Sequence, residues 1–365
     1  MHLTGFGQMN AKLYTIQYLR AFAATLVLIS HALLYPLADP VMFYGRLGWF
    51  GVIVFFVVSG FIMVAVTGQG AFDPVRFLRR RVLRVVPLYW LFTIVAAILA
   101  LTLPSLFKTT IFDLGHLVLS LAFIPFYNPA SHGLHPLYKL GWTLNYEMFF
   151  YVSFALLAVF SARRRAVLLT LAYLALVTIG ALLRPDNAIP AFYTSYMPLA
   201  FVAGVWLGLG HLEGWLGRFV RRLAAPLALI ALAGLALGFA VDRGIMEDAL
   251  AFAGLLAASI GLLALSVGME QSLPRLSWLE ALGDASYSIY LVHIFAVGAI
   301  AGVALRLVGT DNPLVVAAVL LAAIAGGLGA GWVLYRTLEQ PLMRALKRWD
   351  KPRPAQVDPG LAIQR

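Results

Sequence analysis

The chain has 365 residues, of which 62% are hydrophobic and 12% charged, with a mean hydropathy of +0.88, a net charge of +11 and no cysteine. In water such a composition would expose far more apolar surface than a soluble domain tolerates, which excludes a soluble fold and reads as an all-α polytopic membrane protein. Without a thiol, a disulfide framework, a thiolate metal site and a cysteine acyl-enzyme are excluded as well.

At about 20 residues per span the length accommodates roughly ten transmembrane helices. Apolar stretches fall at about 13–35, 48–67, 83–104, 143–160, 166–183, 193–210, 224–241, 248–268, 285–307 and 313–335. The first lacks an A-x-A-like cleavage site and reads as a retained span. The segment 112–126 is apolar but about half a bilayer long and ends near Pro125, so it reads as a re-entrant or interfacial piece. These spans form one transmembrane domain over 1–350, leaving no room for an appended soluble domain. The polar, Pro-containing tail 351–365 reads as disordered.

The basic residues orient the map. With the N-terminus inside, the cytoplasmic segments hold Lys12, the cluster Arg76, Arg79, Arg80, Arg81 and Arg84, the triplet Arg163 to Arg165, Arg218, Arg221, Arg222, Arg275, Arg336, Arg344, Lys347, Arg348, Lys351, Arg353 and Arg365. The outer segments hold only Arg46, Lys108, Lys139, Arg184, Arg243 and Arg306. That asymmetry places both termini in the cytoplasm. It also accounts for the net charge by topology, with lipid and not nucleic acid as the partner.

Ionisable residues inside a span mark function by default. The first span carries Arg20 and His31, eleven residues or roughly 16 Å apart on one face, Arg20 toward the cytoplasm and His31 toward the outside. Snorkelling to the headgroups is the structural alternative for Arg20, and an interfacial hydrogen bond that for His31. In the second span Ser59-Gly60 permits close approach of a helix or a ligand. Helix packing is the simpler reading, because a serine nucleophile needs a base and none lies within local reach.

The loop RFLRRRVLRVVPLYW brings five arginines to a helix start, with Arg81 and Arg84 on one face. Positive-inside retention explains their number; their density and pairing suit phosphate. Glu147 lies about two turns in from the outer surface, at a depth like that of His31. It needs a cation or an imidazole as partner, and a role orienting a histidine is favoured.

On the ninth span Ser286, Tyr290 and His293 form a polar stripe beside Asp284 and Tyr287. Glu339 and Pro341 stand at the cytoplasmic end of the last span, where Glu339 has the alternative role of answering the arginines. His132 and His135 read as solvated loop residues, and His116 and His211 as interfacial ones. Gly327 and Gly331, four apart, read as a helix-packing face. No metal is expected.

Taken in order, IQYLRAFAATLVLISH, FFVVSGFIM, RRRVLRVVP, WTLNYEMFFY, GDASYSIYLVH and LEQP resemble the acyltransferase family 3 of bacterial integral-membrane O-acyltransferases, over about Tyr14 to Pro341. The opening IQYLRA is most similar to the branch acting on exopolysaccharides. The resemblance implies a bacterial cytoplasmic-membrane enzyme that moves an acyl group, usually acetyl from acetyl-CoA, to a saccharide hydroxyl, the acceptor being a polysaccharide or a lipid-linked oligosaccharide. It implies catalytic roles for His31, Glu147 and Arg20 and donor binding by Arg80, Arg81, Arg84, Arg20 and Ser59. Trp142, Tyr146, Tyr287, Tyr290, His293 and Glu339 are expected as substrate or structural support. Two features depart from the family: Gln340 stands where its late Glu-Arg-Pro motif has arginine, and the esterase-like C-terminal domain of some members is missing.

The expected mechanism docks CoA phosphates on Arg81, Arg84 and neighbouring arginines. The pantetheine arm then runs past Arg20 to His31, which, paired with Glu147, acts as general base on the acceptor hydroxyl. A transporter of a lipid-linked saccharide, or an accessory subunit of a polysaccharide synthase, suits the same buried His, Arg and Glu. Monomer and oligomer are both open.

Overall fold

The computed structural model describes residues 13–37, 42–106, 110–240, 245–309 and 311–349; the expected disordered tail, 351–365, lies outside them. Among the described residues every long element is a helix, as unpaired backbone in hydrocarbon requires. Eight of these helices are long and apolar enough to cross a membrane.

The first two, α1 (Tyr14–Leu37) and α2 (Met42–Thr67), pack along one another. The third, α3 (Pro74–Thr102), begins nine residues before the apolar run that announced it. Asp73 caps it, accepting from the Val75 and Arg76 amides, and Pro74 takes the first turn, where its missing N–H costs nothing. The arginine cluster is therefore helical throughout. The half-span piece becomes α4 (Leu114–Leu121), a short helix capped by Asp113.

Two expected spans form shorter helices, α5 (Gly141–Leu156) and α8 (Leu199–Leu212). At 1.5 Å per residue they reach roughly 24 and 21 Å, less than the hydrocarbon thickness of about 30 Å. Between them run α6 (Ala162–Leu183) and the short α7 (Ala188–Tyr193). Both short helices are largely enclosed by protein: Phe150 and Phe154 of α5 and Phe201 of α8 are fully buried, and the Phe201 ring stacks on Phe56 at 4.3 Å and on Phe150 at 4.6 Å. By contrast α6 and α9 (Trp215–Ala240) turn Leu171, Leu182, Leu229 and Leu232 outward, where lipid takes the place of a core. A kink at Leu223, three residues before Pro226, divides α9.

Helix α10 (Ile245–Gly268) pairs with α9, and α11 (Ser277–Asp284) packs on α1. Next come α12 (Ser286–Val308) and α13 (Pro313–Leu334). The glycine face of α13 is a packing face, as expected: a Cβ on Gly331 would meet Ile289 Cα at 2.5 Å, and one on Gly327 the Leu28 side chain at 2.7 Å. The last span runs on through a π turn, Tyr335–Glu339, into α14 (Gln340–Trp349). There Pro341, which has no N–H for the regular ladder, is absorbed by the wider turn, in which the Gln340 amide bonds Tyr335 O.

One arginine of the triplet does more than set topology. Arg165 is 0% exposed, donates to the Gly70 and Gly68 carbonyls at 2.7 and 3.0 Å, and lies over the Phe72 ring. It ties the α2–α3 turn to the start of α6.

Candidate active site

A cavity of about 710 Å³ lies where α1, α2, α3, α5, α8 and α12 meet. Its mouth is formed by the start of α1 (Leu13), the end of α2 (Val66), the start of α3 (Arg81, Arg84), the end of α8 (Leu212) and the start of α12 (Tyr287). All of these lie at the end of the bundle where the chain enters α1. The far end is walled by Thr143 and Tyr290.

Three arginines converge on this space. Arg20, one turn along α1 from Gln17, donates to Gln17 Oε1 at 3.0 Å. Arg81 and Arg84, three apart on α3, both line the wall. The Arg81 guanidinium sits 5.7 and 6.0 Å from the Phe77 and Tyr151 rings, and its buried Nε has no hydrogen-bond partner. Arg80 does not join them: it is exposed and outside the cavity wall.

Ser59 and Glu147 also meet here. Ser59 Oγ donates to Glu147 Oε1 at 3.4 Å, and the Tyr151 hydroxyl donates to the same carboxylate oxygen. Ser59 has no base within local reach along the chain; the fold brings a carboxylate from 88 residues away. Apolar neighbours hide Tyr151 in the sequence, and its one signal is a position four residues after Glu147 on the same helix face. At the mouth Ser286 is 0% exposed, and its hydroxyl has no partner. Tyr287, beside it, donates to Val85 O at 2.7 Å, and His211 also lines the cavity.

His31 stands apart from Glu147. It is not in the cavity wall, and its polar contacts are Val27 O, 2.9 Å from Nδ1, and His293 Nε2, 3.3 Å from the same nitrogen. The expected His31–Glu147 pair is therefore replaced by a pair of imidazoles with ring centroids 5.0 Å apart. The reason is helix rotation: the polar stripe of α12 puts Tyr290 toward the cavity and His293 toward α1. The Tyr290 ring lines the cavity and lies 6.0 Å from that of His293, its hydroxyl held by Leu140 O and Thr143 Oγ1.

The remaining expected site residues lie outside the cavity wall. Tyr146 turns from the cavity, stacks on Phe192 at 3.9 Å and bonds Phe192 O and Ser195 Oγ, while Trp142 packs edge-on against Tyr146. Glu339, 3% exposed, accepts from Ser288 Oγ at 2.6 Å and fastens the π turn to α12.

The outer histidines divide. His132 is exposed, but His135 is half-buried, with Nε2 2.6 Å from Ser131 Oγ and Nδ1 3.2 Å from Pro136 O. His116 is buried beneath the same loop, 3.1 Å from His135 O. Burial holds both His135 and His116 below the ordinary histidine range. Among the described residues no three His, Cys, Asp or Glu side chains are grouped to hold a metal ion.

A cationic cavity beside buried imidazoles fits several activities, and sequence relationship narrows them. The acyltransferase domain model named Acyl_transf_3 matches residues 13–335. The chain belongs to that family. It is also 37% identical over 332 residues to the "Exopolysaccharide production protein ExoZ" of Rhizobium meliloti (strain 1021), covering 90% of this chain and 98% of the relative. No solved structure gives a significant match. This acyltransferase is thus a multi-pass membrane protein, with the family match spanning every helix that contributes to the cavity.

Proposed function

We propose that this acyltransferase moves an acetyl group from acetyl-CoA, entering from the cytoplasm, to a hydroxyl of an exopolysaccharide or its lipid-linked precursor at the bacterial cytoplasmic membrane. The observation that carries the reading is the convergence of Arg20, Arg81 and Arg84 on one cavity at the end of the bundle where the chain enters α1. Guanidinium forks match phosphate oxygens, and CoA is an acyl carrier rich in phosphate. The orphaned Arg81 Nε and Ser286 Oγ are unspent donors in the same wall. The excess of Lys and Arg in segments at that end favours the cytoplasm as its side. The ExoZ likeness favours an exported polysaccharide as acceptor.

The phosphates rest at the arginine mouth and the thioester reaches inward past Ser59 and Glu147 to the Tyr290 wall. With the Tyr290 ring displaced, the acyl carbon meets the imidazole pair. His31 takes the proton of the acceptor hydroxyl as its oxygen bonds to the acyl carbon. The C–S bond then breaks, and His31 returns the proton to the CoA sulfur. Acceptor ester and CoA thiol are the products, so no acyl-enzyme is needed. Glu147 anchors Ser59 and Tyr151 in the donor wall.

The test is purified protein in nanodiscs with labelled acetyl-CoA and exopolysaccharide oligosaccharides. Label on the saccharide with wild type and none with His31→Ala, at unchanged thermal stability, is the expected result. In sealed proteoliposomes of the same protein, label reaching the lumen without ester formation would make the protein a carrier, and near wild-type turnover by His31→Ala in nanodiscs would remove His31 as the base.

A further inference from the structure

We propose that His293 is the positioning residue for His31: it holds the ring as the Nδ1–H tautomer and leaves Nε2 as the atom that takes the acceptor's proton. The inference rests on the reading of His31 as the base of acyl transfer.

The hydrogen-bond chain leaves one consistent assignment. A carbonyl oxygen only accepts, so the 2.9 Å approach of His31 Nδ1 to Val27 O puts a proton on Nδ1. His293 Nδ1 lies 2.8 Å from Tyr290 O and 3.2 Å from Ile289 O, so it too carries its proton there. The Nε2 of a neutral His293 is then a lone-pair acceptor, and it lies 3.3 Å from His31 Nδ1. His31 Nδ1–H is thus shared between a carbonyl and an imidazole, and both rings are satisfied without a clash of protons. His293 is 0% exposed, enclosed between α1 and α12, so water does not replace it as acceptor. Among the described residues His31 Nε2 has no hydrogen-bond partner, which leaves its lone pair for substrate.

The same chain supports the charge that develops. When Nε2 takes the hydroxyl proton, the ring becomes an imidazolium whose Nδ1–H still points at two negative dipole ends. In a carboxylate-supported base an anion does this work; here Glu147 is engaged with Ser59 and Tyr151 instead. Two helices, 262 residues apart in sequence, thereby share the duty of aiming one proton acceptor. His293 touches no reacting atom, so its effect falls on kcat and not on donor binding.

The experiment uses the full-length protein in nanodiscs. His293→Leu is expected to lower kcat for transfer from acetyl-CoA by about 30-fold, less than the roughly 10^4-fold that losing a base's carboxylate partner costs because a neutral imidazole supports the imidazolium less, with KM within about twofold of wild type. His293→Gln, whose Oε1 reaches the Nε2 position and accepts from N–H, restores kcat to within about threefold. Histidine-selective 15N NMR, with His31→Gln to assign the signal, is expected to show His31 in the Nδ1–H form in wild type. Unchanged kcat in His293→Leu, failure of His293→Gln to rescue a folded protein, or an Nε2–H signal for His31 each overturns the proposal. If His293→Leu does not fold, the wild-type NMR signal decides. Absence of any acetyl-CoA turnover by wild type defeats the donor reading alone, since the tautomer is measured without substrate.

Discussion

The seam between α2 and α8 offers the sharpest steric prediction. Gly60 and Gly204 face each other across it, and a Cβ on either would stand 2.0 Å from a backbone oxygen, Phe201 O or Val57 O respectively. Ordinary van der Waals contact starts at 3.4 Å, so Gly60→Ala forces the two backbones apart by about 1.4 Å. Over-packing costs about 1–3 kcal/mol when side chains can yield. Here the obstacle is a carbonyl in mid-helix, which sets the cost at about 3 kcal/mol. Alanine's better helix propensity offsets about 1 kcal/mol of that. A net loss of about 2 kcal/mol lowers Tm by roughly 3 °C in a chain of 365 residues. Ser59 sits on the same turn, 3.4 Å from Glu147, and a shift of that size opens the contact, so acyl transfer falls with stability. Gly298→Ala on α12 is the matched control, because no atom lies within 4 Å of the added carbon, and it is expected to be neutral or more stable by up to about 1 kcal/mol. Thermal unfolding of both variants in detergent, with turnover measured in parallel, is the assay. Equal Tm for Gly60→Ala and Gly298→Ala would refute the argument from backbone contact.

The arginine mouth and the outer loop give two further expectations. A hydrogen bond from arginine to phosphate is worth about 1.5–3 kcal/mol, so Arg81→Ala or Arg84→Ala should each weaken acetyl-CoA binding roughly 10- to 100-fold by calorimetry. Arg80→Ala, exposed outside the cavity, should change it by less than about twofold; equal losses at all three would dismiss the cavity as the donor site. In the outer loop the folded protein holds His135 and His116 below the ordinary histidine value through burial. The unfolded loop therefore binds protons first. The stability these neutral rings give is complete above about pH 6.5 and is lost as pH falls below it through their lowered folded values. Amide hydrogen exchange over 123–140, corrected for intrinsic rate, should be faster at pH 5.5 than at pH 7.5, and equal protection at both would contradict the assignment.

The sequence by itself determined everything that depends on near neighbours along the chain. Runs of apolar residues marked where the chain enters lipid, because a backbone in hydrocarbon can satisfy itself only as a helix. Spacing of three put Arg81 and Arg84 on one face, and the α12 stripe gave Tyr290 and His293 their periodicity. Arg20, Ser59, Arg81, Arg84 and Glu147 of the cavity wall could thus be named one helix at a time. Only the tertiary structure decided which faces meet. Glu147 and His31, at similar depth on different helices, are natural partners on paper, yet the rotation of α5 turns the carboxylate to Ser59, with Tyr151 of its own helix on the same oxygen. The partner of His31 arrives instead from α12. Arg80, Arg81 and Arg84 read alike as charges, and packing on α5 and α12 made two of them cavity walls and left the third outside. A helix's own period is local; its rotation about its axis is set by every neighbour at once, and glycines such as Gly60 and Gly204, which let backbones touch, fix it.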